Sequence, residues 1–358
     1  MTTYNLNSFG ILKKYKNFLE PKDLPLISMG EGNTPLIEAP QLASITKANV
    51  YLKLEGCNPT GSFKDRGMVV AISGAIKENK GHIICASTGN TSASASAYGA
   101  RYGLQTIVIV PESNIAKGKL SQALAYGARV FAIRGNFDNA LDLVKEAGEQ
   151  LNVEIVNSIN PLRIEGQKTA AFEIIENLGN SPDMVFIPVG NAGNITSYWK
   201  GFKEYLNFSK STKTPNMMGF QAEGSSPIVN NKIVESPETI ATAIKIGNPA
   251  SWEGALNAKK ESEGIIDSVS DQDIIDGYLF LARKEGVFCE PASAASVAGL
   301  IKLSKNGFNF SGKDIVCVIT GNGLKDPDIP LKYSGIDIEV INPNIGELNK
   351  KMEKNEFT

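Results

Sequence analysis

The 358-residue chain has one histidine, two tryptophans and four cysteines, and neither sign of charge dominates. A Ser-His-Asp or Cys-His relay would have to use His82, in GHIICAS at an expected strand start, and no local feature supports that. His82 therefore reads as structural. Cys57, Cys85, Cys289 and Cys317 are far apart, with no CxxC pair and no metal-ligand spacing. They read as buried reduced thiols rather than as a disulfide or metal site. With 36 basic against 38 acidic residues the net charge is −2, which gives no pull toward nucleic acid or anionic membrane. No apolar run approaches the length of a membrane span. The start, MTTYNLNSFGILKKYKNFLEP, lacks the apolar core and small-residue cleavage site of a secretory signal, so cytoplasmic location is the default. Whatever chemistry occurs here uses almost no histidine and no metal.

What is present is an ordinary globular composition, 42% hydrophobic and 21% charged, in a chain long enough for two lobes. Short apolar strands alternate with helical segments. HIICAS is followed by a helix from NTSASASAYG, then strand QTIVIV, helix NIAKGKLSQALAYG and strand ARVFAI. Helix NFDNALDLVKEAGEQL, strand VEIV, helix EGQKTAAFEIIENLG and strand DMVFIPV continue the pattern. Strand MMGFQAE, helix DQDIIDGYLFLARKEG, helix ASAASVAGLIKLSKNG and strand KDIVCVIT close it, before a polar tail expected as a helix or surface segment. This alternation predicts an α/β fold of two interleaved lobes, each a mainly parallel sheet covered by helices. Ligands of such sheets sit where strand ends lead into helices.

Four such ends carry unusual residues. CNPTGSFKDRGM (57–68) has a turn, then Ser62 and Asp65 spaced as a capping box, which places Lys64 in the first helical turn. A cation there opposes the macrodipole. The segment is not a phosphate P-loop, because Ser62 and Phe63 separate the second glycine from the lysine. Alone, Lys64 reads equally as a surface lysine or as an amine whose charged form is disfavoured, a nucleophile for carbonyls. CASTGNTSASASAYG presents Ser87, Thr88, Gly89, Asn90 and Thr91 at a helix N-terminus that suits a carboxylate, although plain capping by Asn90 or Ser92 would also account for them. FIPVGNAGNITSYWKG ends a buried strand in Gly190, Asn191, Ala192, Gly193 and Asn194, a backbone nest for phosphate without the GxGxxG spacing of a dinucleotide site. IVCVITGNGLKDP delivers the hydroxyl of Thr320, able to meet a ring nitrogen. An imine-forming lysine, a phosphate nest, an amide and a hydroxyl together match pyridoxal 5′-phosphate.

NPTGSFKDRG, ASTGNTSASASAYGA, NPLRIEGQKTAAFEI, PVGNAGNI, EPASAAS and ITGNGLKDP jointly resemble the short-form threonine synthases, of the tryptophan-synthase-β-like (fold type II) pyridoxal phosphate enzymes. The resemblance runs from Gly30 to Asp326. It implies conversion of O-phospho-L-homoserine and water to L-threonine and phosphate, the last step of threonine biosynthesis, by a cytoplasmic homodimer. It implies Lys64 as the residue that links to the cofactor and moves protons, Asn90 at the 3′-hydroxyl, Gly190 to Asn194 at the cofactor phosphate and Thr320 at the ring nitrogen. Ser87, Thr88 and Thr91 would take the substrate carboxylate, with product phosphate near Thr88 assisting the attack of water. Lys117, Asn157, Ser158 and Arg163 would take the substrate phosphate, and no metal is implied. A smaller mobile domain over 51–160 and a larger cofactor-phosphate-binding domain over 1–50 and 161–358 are expected. The rivals are a threonine or serine dehydratase of the same fold and a non-catalytic nucleotide-binding α/β protein.

Overall fold

The computed structural model describes residues 10–112 and 117–354. Among the described residues ten strands form two sheets: β1 (Leu36–Glu38), β2 (Asn49–Leu54), β3 (His82–Ala86), β4 (Gln105–Pro111), β5 (Arg129–Ile133), β6 (Val153–Ile155), β7 (Met184–Pro188), β8 (Asn216–Ala222), β9 (Ile265–Val269) and β10 (Asp314–Ile319). One sheet runs β1-β2-β10-β7-β8-β9 and the other β5-β4-β3-β6. Every pairing is parallel except the short antiparallel edge β1 against β2. The expected α/β class with parallel sheets is therefore found, and four of the expected strand–helix units build the smaller sheet in sequence.

Central strands are buried on both faces, as parallel sheets under helices require. Val185, Ile187, Val316 and Val318 are all inaccessible in β7 and β10. Edge strand β5 is instead half open, with Phe131 exposed. The expected strands include this edge, whereas β1, β2 and β9 are absent from them because LIE, NVYLKL and IIDSV are short or interrupted by polar residues.

The expected single helix EGQKTAAFEIIENLG is two: Pro161–Gln167 and Thr169–Leu178. The first starts earlier because Asn160 caps it, accepting from the Leu162 N–H at 2.9 Å, and Pro161 occupies the first helical position. The Lys64–Lys77 helix lies against this short helix backbone to backbone. A Cβ on Gly166 would stand 1.9 Å from the Arg66 carbonyl oxygen, so only glycine allows the approach.

Residues up to Asp326 form one compact unit and those from Pro327 a second. The second contains helices Asp328–Tyr333 and Ile345–Lys354, the latter in the tail expected to be helical or surface. The Asn344 side chain accepts from the Glu347 N–H at 2.9 Å near its start. Cys85, Cys289 and Cys317 are buried and free as expected, but Cys57 is exposed, since it lies on the turn after β2 rather than in a strand. Among the described residues no helix is long and apolar enough to cross a membrane.

Candidate active site

The Lys64 turn follows β2. Gly61 adopts a left-handed φ of 87° and its N–H closes the turn on the Asn58 carbonyl at 2.8 Å. The helix begins at Lys64 after Phe63, and the expected Ser62–Asp65 box does not form. Ser62 Oγ accepts only a long bond, 3.4 Å, from the Lys64 N–H. Asp65 turns back instead and accepts from the Thr60 N–H at 2.7 Å, the Thr60 hydroxyl at 2.6 Å and the Ser94 hydroxyl at 2.5 Å. Three short donors outcompete a single N-cap bond, and they lock the turn to the Asn90–Tyr102 helix of the other sheet.

Lys64 is half-buried, and its ammonium lies 4.4 Å from the centre of the Phe63 ring. Burial, reinforced by repulsion from Arg163, lowers its pKa from 10.5 to about 7. Arg163 reaches the site because Gly67, one turn beyond Lys64, has no side chain: a Cβ there would meet Arg163 Nε at 2.6 Å. Arg163 is 1% exposed, and one terminal nitrogen donates to the Val156 carbonyl at 2.7 Å. Its Nε and other terminal nitrogen have no partner among the described residues, and burial depresses its pKa to about 10. A buried guanidinium with idle donors beside a lysine is a site prepared for an anion.

Beneath these cations lies a closed ion network. Arg66 binds Glu55 and Glu173 with bonds of 2.6–2.7 Å, and Lys53 joins Glu173 at 2.8 Å. Two positive and two negative side chains, all buried, balance one another and hold the helix start rigid.

After β3, Ser87, Thr88, Gly89 and Thr91 are half-buried. Neither Asn90 nor Ser92 caps the following helix; Gly89 occupies the cap position with no side-chain bond, and the Ser92 hydroxyl donates to the Gly89 carbonyl at 2.8 Å. The first N–H groups of this 13-residue helix are therefore not satisfied by a side-chain cap. The Asn90 amide instead donates to both oxygens of Glu290, at 2.9 and 3.1 Å. Glu290 precedes the Pro291–Lys305 helix, so this contact joins the two sheets' strand ends. Thr320, just past β10, is 5% exposed; its hydroxyl lies 2.8 Å from Ser293 Oγ and 3.4 Å from Glu290 Oε1. The Phe63 N–H donates to the Thr320 carbonyl at 3.0 Å, which ties this strand end to the Lys64 turn.

After β7, Ala192 takes a left-handed φ of 63° and starts the 15-residue Gly193–Asn207 helix. A Cβ on Gly190 would lie 2.8 Å from Ile244 Cα, so that glycine is needed for close approach. Asn191 braces the loop: its Oδ1 accepts from the Ala250 N–H at 2.6 Å and its Nδ2 donates to Ser158. Both polar atoms of the Asn194 side chain are buried without a partner among the described residues. A nest at a helix N-terminus beside an idle amide fits a phosphate group, so the residues present fit pyridoxal 5′-phosphate.

One of the residues expected at the substrate phosphate is engaged by the backbone. Asn157 exchanges both ends of its amide with the Ala86 backbone, at 2.9 and 3.0 Å, which anchors the end of β3. Lys117 opens the Lys117–Ala125 helix, and its side chain lies outside the described residues. Sequence reasoning also missed two groups. Glu290, in the quoted EPASAAS, went without a role, and Lys325, in ITGNGLKDP, folds back over Gly61 and donates to Gln122. An isolated Glu before Pro was the only signal for the first. The described residues contain no cluster able to hold a metal ion.

A family model described as pyridoxal-phosphate dependent enzyme matches residues 27–321. A threonine synthase of Halalkalibacterium halodurans is 57% identical over 336 residues, covering 94% of each chain. One of Synechocystis is 52% identical over 347 residues, 96% of this chain and 90% of its own. Maize serine racemase has a similar fold, with a TM-score of 0.71 at 18% identity over 90% of this chain and 92% of that one.

Proposed function

We propose a function from the premise that the chain belongs to the pyridoxal-phosphate dependent enzymes and, among them, to the threonine synthases: it converts O-phospho-L-homoserine and water to L-threonine and phosphate. The observation that carries this reading is the meeting, on one helix start, of an amine lowered to about 7 with a buried guanidinium that has idle donors. The first suits carbonyl chemistry and the second a phosphate other than the one in the nest.

Pyridoxal 5′-phosphate, when bound, supplies the electron sink for the pair left at the substrate's Cα. Its holders in this reading are Lys64 at the aldehyde, Asn90 at the 3′-hydroxyl, Gly190, Asn191, Ala192, Gly193 and Asn194 at the phosphate, and Thr320 at the ring nitrogen. Lys64, whose lowered pKa leaves part of its free amine unprotonated near neutral pH, takes the Cα proton and returns it at the end. Ser87, Thr88 and Thr91 with the uncapped N–H groups after Gly89 orient the substrate carboxylate. Arg163, Lys117 and Ser158, framed by Asn157, hold the substrate phosphate as its bond to Cγ breaks. A proton leaves Cβ as that bond breaks and one is delivered to Cγ, which becomes the methyl group; water then adds at Cβ, with the released phosphate near Thr88 placed to take the water's proton.

Homodimeric assembly and cytoplasmic location belong to the same proposal, and a net charge of −2 favours a small-molecule partner over nucleic acid or membrane. So does a division into a mobile lobe over 51–160 and a larger one over 1–50 and 161–358, closing to exclude water. The smaller sheet, within residues 82–155, supports that division.

The test is visible absorption of the holoenzyme with O-phospho-L-homoserine added. The reading expects a cofactor band that shifts with substrate while threonine and phosphate appear in equal amounts, and a Lys64→Ala variant without turnover. Ammonia released from threonine or serine, with no response to the phosphorylated substrate, would replace it with the dehydratase.

A further inference from the structure

Glu290 is 2% exposed, yet its carboxylate faces an amide and a hydroxyl rather than a paired cation. It is tightly enclosed: a Cβ on Gly321 would come within 2.5 Å of Oε1. The charged and titratable groups facing it are Lys64 from the helix it opposes, Lys325 and Asp326 beyond β10, and Cys289 beside it.

The Thr320 hydroxyl beside this enclosed carboxyl group has one proton to place. Ser293 Oγ accepts from the Gly321 N–H at 2.9 Å and lies 2.8 Å from the Thr320 hydroxyl. If Ser293 donates to Thr320 at 2.8 Å rather than to the Gly321 carbonyl at 3.3 Å, the single Thr320 proton has two places to go: Glu290 Oε1 or a ligand in front of it. A charged Glu290 can only accept, so it draws that proton and leaves Thr320 as an acceptor, suited to a protonated ring nitrogen. A neutral Glu290 can itself donate to Thr320, whose proton then points to an unprotonated ring nitrogen. Burial favours the neutral form and raises the Glu290 pKa, against the Asn90 hydrogen bond and the nearby lysines.

We propose that Glu290 is a positioning residue: as a neutral carboxylic acid it fixes the Asn90 amide and turns the Thr320 hydroxyl into a donor toward the cofactor's ring nitrogen. This rests on the placement of Asn90 and Thr320 at the cofactor, and it adds a residue that controls both. Asn90 must keep its NH2 toward Glu290, so the face it offers a ligand is set before the ligand arrives.

The experiment loads the full chain with pyridoxal 5′-phosphate labelled with nitrogen-15 in the ring and reads the ring-nitrogen chemical shift and the cofactor dissociation constant. Wild type should show an unprotonated pyridine nitrogen. Glu290→Gln, neutral and of equal length, should keep that shift and an affinity within about threefold, a change of less than about 0.7 kcal/mol. Glu290→Asp keeps the carboxyl group but withdraws it from both partners, and should weaken cofactor binding by about tenfold or more. A protonated ring in wild type, or a Glu290→Gln variant that changes the shift while Glu290→Asp preserves it, overturns the proposal. Thermal melting of the variants separates a local effect from misfolding. A wild-type chain that binds no cofactor, or a Lys64→Ala variant with an unaltered visible band, would instead overturn the underlying placement of the site.

Discussion

Lys64 and Arg66 stand two residues apart at one helix start, and the fold treats their charges in opposite ways. Arg66 spends its guanidinium on two carboxylates and two threonine hydroxyls inside a network that also satisfies Lys53. Burial would raise the pKa of Glu173, but Arg66 and Lys53 carry it well below the usual carboxylate range. Lys64 faces the other way, toward a second unsatisfied cation and a glutamate engaged elsewhere. The contrast teaches how one turn of helix can be both anchored and reactive. Complete pairing below makes the backbone rigid, and incomplete pairing above leaves groups waiting for a ligand.

The largest effect should come from breaking the paired side. Arg66→Met leaves Glu55 and Glu173 buried together without their main counter-charge, and should cost about 3–5 kcal/mol in urea unfolding. The sign of the pH dependence follows from Glu173. Its depressed folded pKa gives stability that is present above about pH 4.3 and lost as pH falls toward the folded value. Arg66→Met should flatten that acid loss. A smaller effect is expected on the unpaired side: Arg163→Met removes a repulsion, so the Lys64 amine should titrate at higher pH, with little change in unfolding free energy. The smallest is Ser62→Ala, which should move stability by less than about 0.5 kcal/mol, below the usual cost of losing a true N-cap. A loss well above 1 kcal/mol would mean that Ser62 caps this helix after all.

Much of the candidate site was legible in the sequence, and the illegible part has a common cause. Lys64, Asn90, the Gly190–Asn194 loop and Thr320 each stand where a strand ends, a position that hydrophobic runs and turn residues reveal. The alternation of strands and helices likewise gave the parallel sheets. The Ser62–Asp65 box failed because Ser94, far along the chain, competes for Asp65. Glu290 stayed without a role because its meaning depends on Asn90, 200 residues away. The Arg66 network is assembled from Thr34, Lys53, Glu55 and Glu173, whose spacing follows no helix or strand period. Local patterns expose where a ligand can sit; which charges are left unpaired there is decided by tertiary contacts.

The central claim is that Lys64 is poised while Arg66 is anchored, and the most direct measurement is the titration of the Lys64 amine itself. In cofactor-free protein, the pH dependence of its acylation by a small amine reagent, followed by peptide mass analysis, gives the midpoint. The account predicts a midpoint near 7, moved upward in Arg163→Met. A midpoint near 10.4, the value of a free lysine, would contradict it.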